Sequence, residues 1–300
     1  MIKVLRRAKD FLCENIPLTR RFFFLIDFVR RNKYWPNFKS PKTYNEKINY
    51  RKNNARHDLF SVCSDKIAAK DWVAEKIGKE YVIPNYFVGE LIESETIKKI
   101  IAQEGGCLLK ANHNSGPVKL LTEESSDAEI DAACNDVNQQ LKHDFGERVN
   151  EPWYSKIRPR ILVEKRLHPE KGESNIRDYK FHVFRKNDSD FEIFVAIDFD
   201  RGQNHSRSFF DSDFNYMNLS TYVPSVITKI SKPKNYDLML DLAKTLAEPF
   251  SYVRVDFYNV DGHIYFGEMT FAPGSGCLDD FESYKYDLWM GNLWQGDPGY

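Results

Sequence analysis

The sequence predicts an α+β protein that begins with a helical N-terminal segment, and three observations carry that reading. Val253 to Phe271 (VRVDFYNVDGHIYFGEMTF) forms two apolar-rich runs about an Asp261-Gly262 pair, one of the stronger short-range hairpin signals a sequence holds. Arg177 to Phe184 alternates strictly, which places Asp178, Lys180 and His182 on one face of a strand and the aromatics on the other. Helices are announced by the capping-box spacings Thr43/Glu46 and Ser126/Glu129, and by the apolar stripe of Tyr236 to Ala247.

Composition narrows the class. With 300 residues, 42% hydrophobic and 29% charged, the chain can bury a sizeable core as one large or two to three small domains. A net charge of −1 gives no reason to expect a nucleic-acid partner. Residues 1–40 nevertheless hold ten Lys or Arg against three Asp or Glu, a net +7 that leaves −8 for the remainder. Cys13, Cys63, Cys107, Cys134 and Cys277 are odd in number and scattered without metal-binding spacing, so they read as reduced thiols of a cytoplasmic protein. No apolar run approaches the roughly 20 residues of a membrane span, and Asp10 and Glu14 interrupt any signal-peptide core.

Taken in order, Arg20 to Arg31 mixes bases with Phe22, Phe23, Phe24 and Phe28. Such a helix either lies on an anionic membrane surface or docks its Phe face on its own core, the commoner fate. Pro36 and Pro41 mark a linker. One helix opens at Thr43 and runs to about Lys52, and a second is expected over Ser64 to Ile77 with Gly78 as its cap. Asp65 and Lys66 fall in its first turn, where Asp suits the helix dipole and Lys is expected in solvent. Tyr81 to Gly89 reads as a strand broken by Pro84, Ser94 to Gln103 as a helix stopped by Gly105-Gly106, and Ser126 to His143 as a helix. Phe191 to Asp198 is a strand; Tyr236 to Ala247 is a helix with Leu238, Leu242 and Leu246 on one face, ended by Pro249.

Three stretches carry chemistry. In CLLKANHNSGPVK (107–119) an apolar strand delivers Lys110, followed by the polar loop Asn112, His113, Asn114, Ser115 and Gly116. A cation on a strand beside a small-residue loop is a common phosphate cradle, and a polar hairpin loop explains the pattern nearly as well. Pro159 to Leu167 is a β-branched strand that meets charge at Glu164. If the 253–271 hairpin pairs about Asp261-Gly262, Asp256 and Glu268 lie side by side. Carboxylates among apolar neighbours must face solvent or hold a cation, and a hard divalent ion bridging phosphate oxygens is one solution.

These pieces occur in a familiar order: Asp65-Lys66, LLKANHNSG at 108–116, ILVEK at 161–165, DYKF at 178–181, RVDFY at 254–258 and FGEMTF at 266–271. From about Thr43 to Trp294 the chain resembles the TupA-like ATP-grasp proteins, a family named for teichuronopeptide biosynthesis and found in bacterial polysaccharide gene clusters. The resemblance implies an ATP-grasp fold: a helical region over 1–80, a first lobe over 81–165 and a second over 166–300, with Mg-ATP between the lobes. By analogy Lys110 contacts the nucleotide phosphates, and Asn112, His113, Ser115 and Gly116 belong to the loop closing over them. Glu164, Lys165 and Leu167 meet adenine and ribose, and Lys180, Arg201 and Arg254 face the γ-phosphate or an acyl-phosphate. Asp256, Glu268 and Thr270 hold Mg2+. Thr270 departs from the Asn found there in many ATP-grasp enzymes, and the loop has Gly116 as its one glycine.

The activity so implied is ATP-dependent joining of an amine to a carboxylate through an acyl-phosphate, with an amino acid or related amine and a uronic acid of a surface polysaccharide or its precursor as substrates. Residues 1–40 would supply any peripheral membrane contact of this cytoplasmic protein. The same cradle can serve a hydroxyl acceptor, which makes a sugar kinase the second reading. Asp211-Ser-Asp213 offers a nucleotide-sugar glycosyltransferase reading, although Asp-x-Asp triplets are common by chance. A non-catalytic partner in polysaccharide assembly is the remaining alternative.

Overall fold

The computed structural model describes residues 16–170, 175–187, 190–199, 205–219, 222–226, 230–277 and 284–300. Arg201 and Cys13 lie outside the described residues. Four helices come first: α1 (Pro17–Asn32), α2 (Tyr44–Asn54), α3 (Leu59–Ser64) and α4 (Ala68–Ile77). The Thr43/Glu46 capping box forms as expected at the start of α2. Ser64 to Ile77 is not one helix. The chain breaks at Asp65, which is extended and accepts hydrogen bonds from the Ile67 amide and from Asn112 Nδ2. A tertiary partner outcompetes the helix propensity there.

A four-stranded antiparallel sheet follows, built from β1 (Asn85–Gly89), β2 (Gly106–Ala111), β3 (Lys119–Thr122) and β4 (Ile161–Lys165) in the order β1-β4-β2-β3. Between its strands run α5 (Ser94–Glu104), α6 (Asp127–Gln140), which carries the expected Ser126/Glu129 capping box, and the short α7 (Phe145–Val149). Cys107, Leu109, Ala111, Ile161 and Val163 face these helices and pack on Ile97, Ile101, Ile130 and Val137. Strand alternation therefore turns Leu108, Lys110, Leu162 and Glu164 to the opposite face.

The second sheet has six antiparallel strands: β5 (Asp178–Arg185), β6 (Phe191–Phe199), β7 (Ser206–Asp211), β8 (Tyr216–Met217), then, after helix α8 (Tyr236–Ala247), β9 (Tyr252–Val260) and β10 (His263–Thr270), in the order β10-β9-β5-β6-β7-β8. Asp261 and Gly262 take φ of 50° and 79°, the left-handed pair of a tight hairpin turn. Tyr236, Met239, Ala243 and Leu246 of α8 are fully buried in the core shared with Phe181, Val183, Val255 and Phe257. Burying each large apolar side chain contributes roughly 1.5–3 kcal/mol, enough to fix which sheet face turns inward. Leu238, expected on that apolar face, is exposed. The acidic and aromatic tail contains α9 (Tyr284–Leu293), whose packing with α2 covers one end of the second sheet. Arg51 of α2 is buried there, donating to the carbonyls of Pro298, Tyr252, Phe271 and Tyr300 and lying 4.4 Å from the Trp294 ring.

Asp211 and Asp213 are not a metal pair. Asp211 Oδ1 accepts from the amides of Asp213 and Asn215, and its Oδ2 accepts from Asn215 Nδ2. This is the ordinary side-chain bonding of a turn, away from the cleft described below, so the triplet gives the glycosyltransferase reading no support.

Candidate active site

The charged face of the second sheet is assembled by register. Asp178 pairs with Tyr258, Lys180 with Asp256 and His182 with Arg254 across β5/β9. Across β9/β10, Glu268 pairs with Asp256 and Thr270 with Arg254. The register shifts by one between Phe266 and Glu268, and Gly267 sits at this bulge, where a Cβ would lie 3.0 Å from the Asp256 carbonyl oxygen. Without that extra residue the 263–266 register would pair Gly267 with Asp256 and turn Glu268 to the other face.

The expected metal ligands Asp256, Glu268 and Thr270 are thus brought together, and the group joining them is Arg254. Its Nε and Nη2 each donate to an Asp256 oxygen at 2.7 Å, and Nη2 also reaches Glu268 Oε1 at 2.8 Å and Thr270 Oγ1 at 3.0 Å. Lys180 Nζ lies 2.8 Å from Asp256 Oδ2, 2.5 Å from Asp178 Oδ2 and 3.9 Å from Asp198 Oδ2. Burial alone would raise the Asp256 pKa, but Arg254 and Lys180 hold it well below the usual carboxylate range. Asp198 is likewise raised by burial yet pulled down to about 2, chiefly by Arg207 at 2.5 Å. Among the described residues no group of three or more His, Cys, Asp or Glu is gathered as a metal site. The oxygen donors of Asp256, Glu268 and Thr270 suit a hard cation such as Mg2+, provided that Arg254 releases them.

Facing this sheet is a cleft of about 260 Å³ whose walls include Lys66, Lys70, Lys110, Glu164, Asp178, Asp256 and Glu268. Lys110 projects from β2 into this cleft wall. Glu164 lines the cleft too, with its two oxygens 2.5 Å from Lys70 and 2.5 Å from Lys110. Burial would raise its pKa, and the two ammonium groups reverse that and hold it low. Adjoining lies a second, more apolar cleft of about 670 Å³ whose walls include Ile83, Leu108, Val118, Leu120, Leu167 and Ile176. The two share Lys110, Val118, Glu164, Asp178, Tyr258 and Gly267. Leu167 therefore lines a cavity, whereas the exposed Lys165 lines neither and gives its backbone N–H to the Pro84 carbonyl.

The loop after β2 divides in two. Asn114, Ser115 and Gly116 line the charged cleft. Asn112 does not: it is fully buried, its Nδ2 donating to Asp65 Oδ1 at 2.9 Å and to the Arg158 carbonyl at 3.1 Å, while its Oδ1 accepts from the Arg160 amide at 2.6 Å. His113 is also buried, with Nε2 3.2 Å from the His143 carbonyl oxygen, and burial depresses its pKa. These two residues hold the loop in place and do not touch the cavity. Lys180, Arg254 and Thr270 likewise stand outside the cavity wall, behind Asp178, Asp256 and Glu268.

Sequence reasoning missed Lys66. Expected in solvent, it enters the cleft and donates to the Asn114 carbonyl. Burial and the neighbouring Lys110 lower its pKa to about 8. No local sequence signal marks this, because Lys66 lies in the turn between α3 and α4 that Asp65 opens through its bond with Asn112. His182 is a buried neutral group, its Nδ1 2.9 Å from the Tyr252 hydroxyl and its ring stacked on Phe194 at 4.5 Å.

No curated protein matches the chain. Among solved structures it is similar to D-alanine–D-alanine ligase from Helicobacter pylori, at 18% identity over 81% of this chain and 63% of that one with a TM-score of 0.49. D-alanyl-alanine synthetase A from Vibrio cholerae gives 13%, 77%, 64% and 0.47. For N5-carboxyaminoimidazole ribonucleotide synthetase from Thermus thermophilus the values are 12%, 76%, 52% and 0.40. The chain thus spans less than two thirds of each of these structures. The family description TupA-like ATPgrasp matches residues 46–295, a span that takes in both sheets, the cleft between them, the turn carrying Lys66 and the helix carrying Lys70. The chain belongs to the TupA-like ATP-grasp family.

Proposed function

We propose that the protein is an ATP-dependent carboxylate–amine ligase, and that its acceptor is a uronic acid of a surface polysaccharide or its precursor. The observation that carries the first half is the cleft itself, with three lysines on one side, Asp178, Asp256 and Glu268 on the other, and an apolar cavity alongside. A nucleotide triphosphate matches that division, its base in the apolar cavity and its phosphates among Lys66, Lys70 and Lys110. The uronic-acid half follows the family resemblance.

Within this reading the side chains bind, orient and neutralise. Glu164 lies 2.5 Å from both Lys70 and Lys110 and offsets part of their charge until an anion enters the cleft. Lys66, with no carboxylate within salt-bridge distance among the described residues, is the cation most available to an incoming anion. Asp256, Glu268 and Thr270 would hold Mg2+, which supplies charge neutralisation at the phosphates when bound. Arg254 must release them, and its guanidinium is then available to the substrate anion. The carboxylate oxygen attacks the γ-phosphorus of ATP, giving an acyl-phosphate and ADP. The amine then forms the C–N bond as phosphate leaves and the nitrogen loses its proton. No protein nucleophile is needed.

The test is product stoichiometry. A ligase releases one ADP and one phosphate per amide only when carboxylate and amine are both present, and hydroxylamine traps the acyl-phosphate as a hydroxamate. ADP release without free phosphate, on a hydroxyl acceptor, would make the protein a kinase.

A further inference from the structure

The N-terminal helix has two faces, and the active-site reading uses neither. On its inner face Phe28 is fully buried against Tyr34 and Phe38 at 5.2 and 5.4 Å, and Phe24 takes the Lys52 ammonium at 4.5 Å from its ring centroid. Phe22 and Ile26, one turn apart on the outer face, are 60% and 43% exposed. Just past the helix, Trp35 is 75% exposed. Arg30, Arg31, Lys33 and Lys39 of the same segment are exposed as well, Arg30 lying 3.5 Å from Asp27. Among the described residues no helix is long and apolar enough to cross a membrane.

We infer that this surface, Phe22, Ile26 and Trp35 with Arg30, Arg31, Lys33 and Lys39, docks the protein on an anionic lipid membrane. Charge complementarity selects that occupant. The first 40 residues are net +7 in a chain of net −1, so a second copy of the same face would set like charges against each other. Lipid satisfies both halves at once: phenylalanine, isoleucine and tryptophan enter the headgroup–acyl boundary while the bases meet anionic headgroups. The inner face is already docked on the protein, so binding needs no unfolding of the helix. The surface is separate from the cleft, so it and the ligase reading can fail independently.

The test uses the full chain and sedimentation with phosphatidylcholine vesicles, with or without about 30 mol% phosphatidylserine. Binding to the anionic vesicles alone, released by about 0.5 M NaCl, is the expected result. Phe22→Ser with Ile26→Ser, and separately Arg30→Glu with Lys39→Glu, should each weaken it at least about tenfold while leaving nucleotide affinity and the circular dichroism spectrum unchanged. Equal binding to both vesicles, no binding at low salt, or variants that bind like the parent would each overturn the inference. So would a wild-type dimer, insensitive to vesicles, that the Phe22/Ile26 variant dissociates; that would assign the face to a second copy.

Discussion

Replacing Glu164 with glutamine separates the clamp role from a direct nucleotide contact. The wild-type carboxylate lies 2.5 Å from each of Lys70 and Lys110, with side-chain exposures of 4%, 9% and 16%. Removing one partner of a buried ion pair costs about 3–5 kcal/mol. Glutamine keeps one acceptor oxygen, so the lower end, about 3 kcal/mol, is expected. With a denaturant slope of about 3 kcal/mol/M for a chain of this size, the urea midpoint should fall by about 1 M. Nucleotide then distinguishes the roles. Should the two lysines serve the phosphates, bound ATP supplies the negative charge that the variant lacks. Saturation at a hundred times Kd stabilises any binder by about 2.7 kcal/mol, and tenfold tighter binding adds about 1.4 kcal/mol at the same concentration. The variant should therefore regain more stability on adding a non-hydrolysable Mg-ATP analogue than the parent gains. An unchanged urea midpoint, or ATP affinity weakened tenfold or more, would refute the clamp and restore Glu164 as a nucleotide contact.

The remaining expectations concern neighbouring groups. Lys66, with its pKa lowered to about 8, loses charge above that pH, so the KM for ATP should rise from about pH 8 upward; Lys66→Arg should keep it flat to pH 9, and a rise shared by both proteins would exclude Lys66 as its source. Asn112→Ala strands the Arg158 carbonyl and the Arg160 amide and takes from Asp65 Oδ1 one of its two donors, the Ile67 amide remaining; at about 1–1.5 kcal/mol for each lost bond this should cost about 3–4.5 kcal/mol of stability. ATP affinity of the folded fraction, measured by calorimetry, should hold within a factor of a few; lost affinity with normal stability would return Asn112 to the ligand set. Glu151 is buried, and its pKa is raised by that burial to about 7 from 4.5. The unfolded chain releases this proton first, so stability falls as pH climbs from about 4.5 to 7, by up to about 3 kcal/mol. Glu151→Gln should remove that slope in urea titrations at pH 5 and 8, and an unchanged slope would rule the residue out.

How much of this was legible in the sequence depended on whether a residue's partner was local. The hairpin, both capping boxes and the Asp178-Lys180-His182 face rest on contacts within a few residues or on strand alternation, and each formed where the pattern put it. Lys66 was misread because the break at Asp65 is dictated by Asn112, 47 residues away. Asn112 was misread in turn, since a polar loop residue looks the same in sequence whether it faces a phosphate or a buried carboxylate. Glu164 was identified by position but its partners were not, because Lys70 arrives from a helix that the strand pattern says nothing about. Arg254 was expected at the substrate, and the register that pairs it with Thr270 instead lays its guanidinium across the expected metal ligands.

The bond between Asp65 and Asn112 reaches beyond local folding. Asn112 opens the loop that leads to Ser115 and Gly116, and Asp65 immediately precedes Lys66, whose ammonium is bonded to that same loop at Asn114. Loop and lysine are fastened at three points, because the Lys66 amide also donates to the Asn112 carbonyl. A ligand that meets the loop at Ser115 and Gly116 therefore meets this cation beside it, and the loop and its charge are presented to the cleft together. A fragment cut to begin at the first strand would lose that coupling together with Lys66 and Lys70, and would under-report what the cleft can bind.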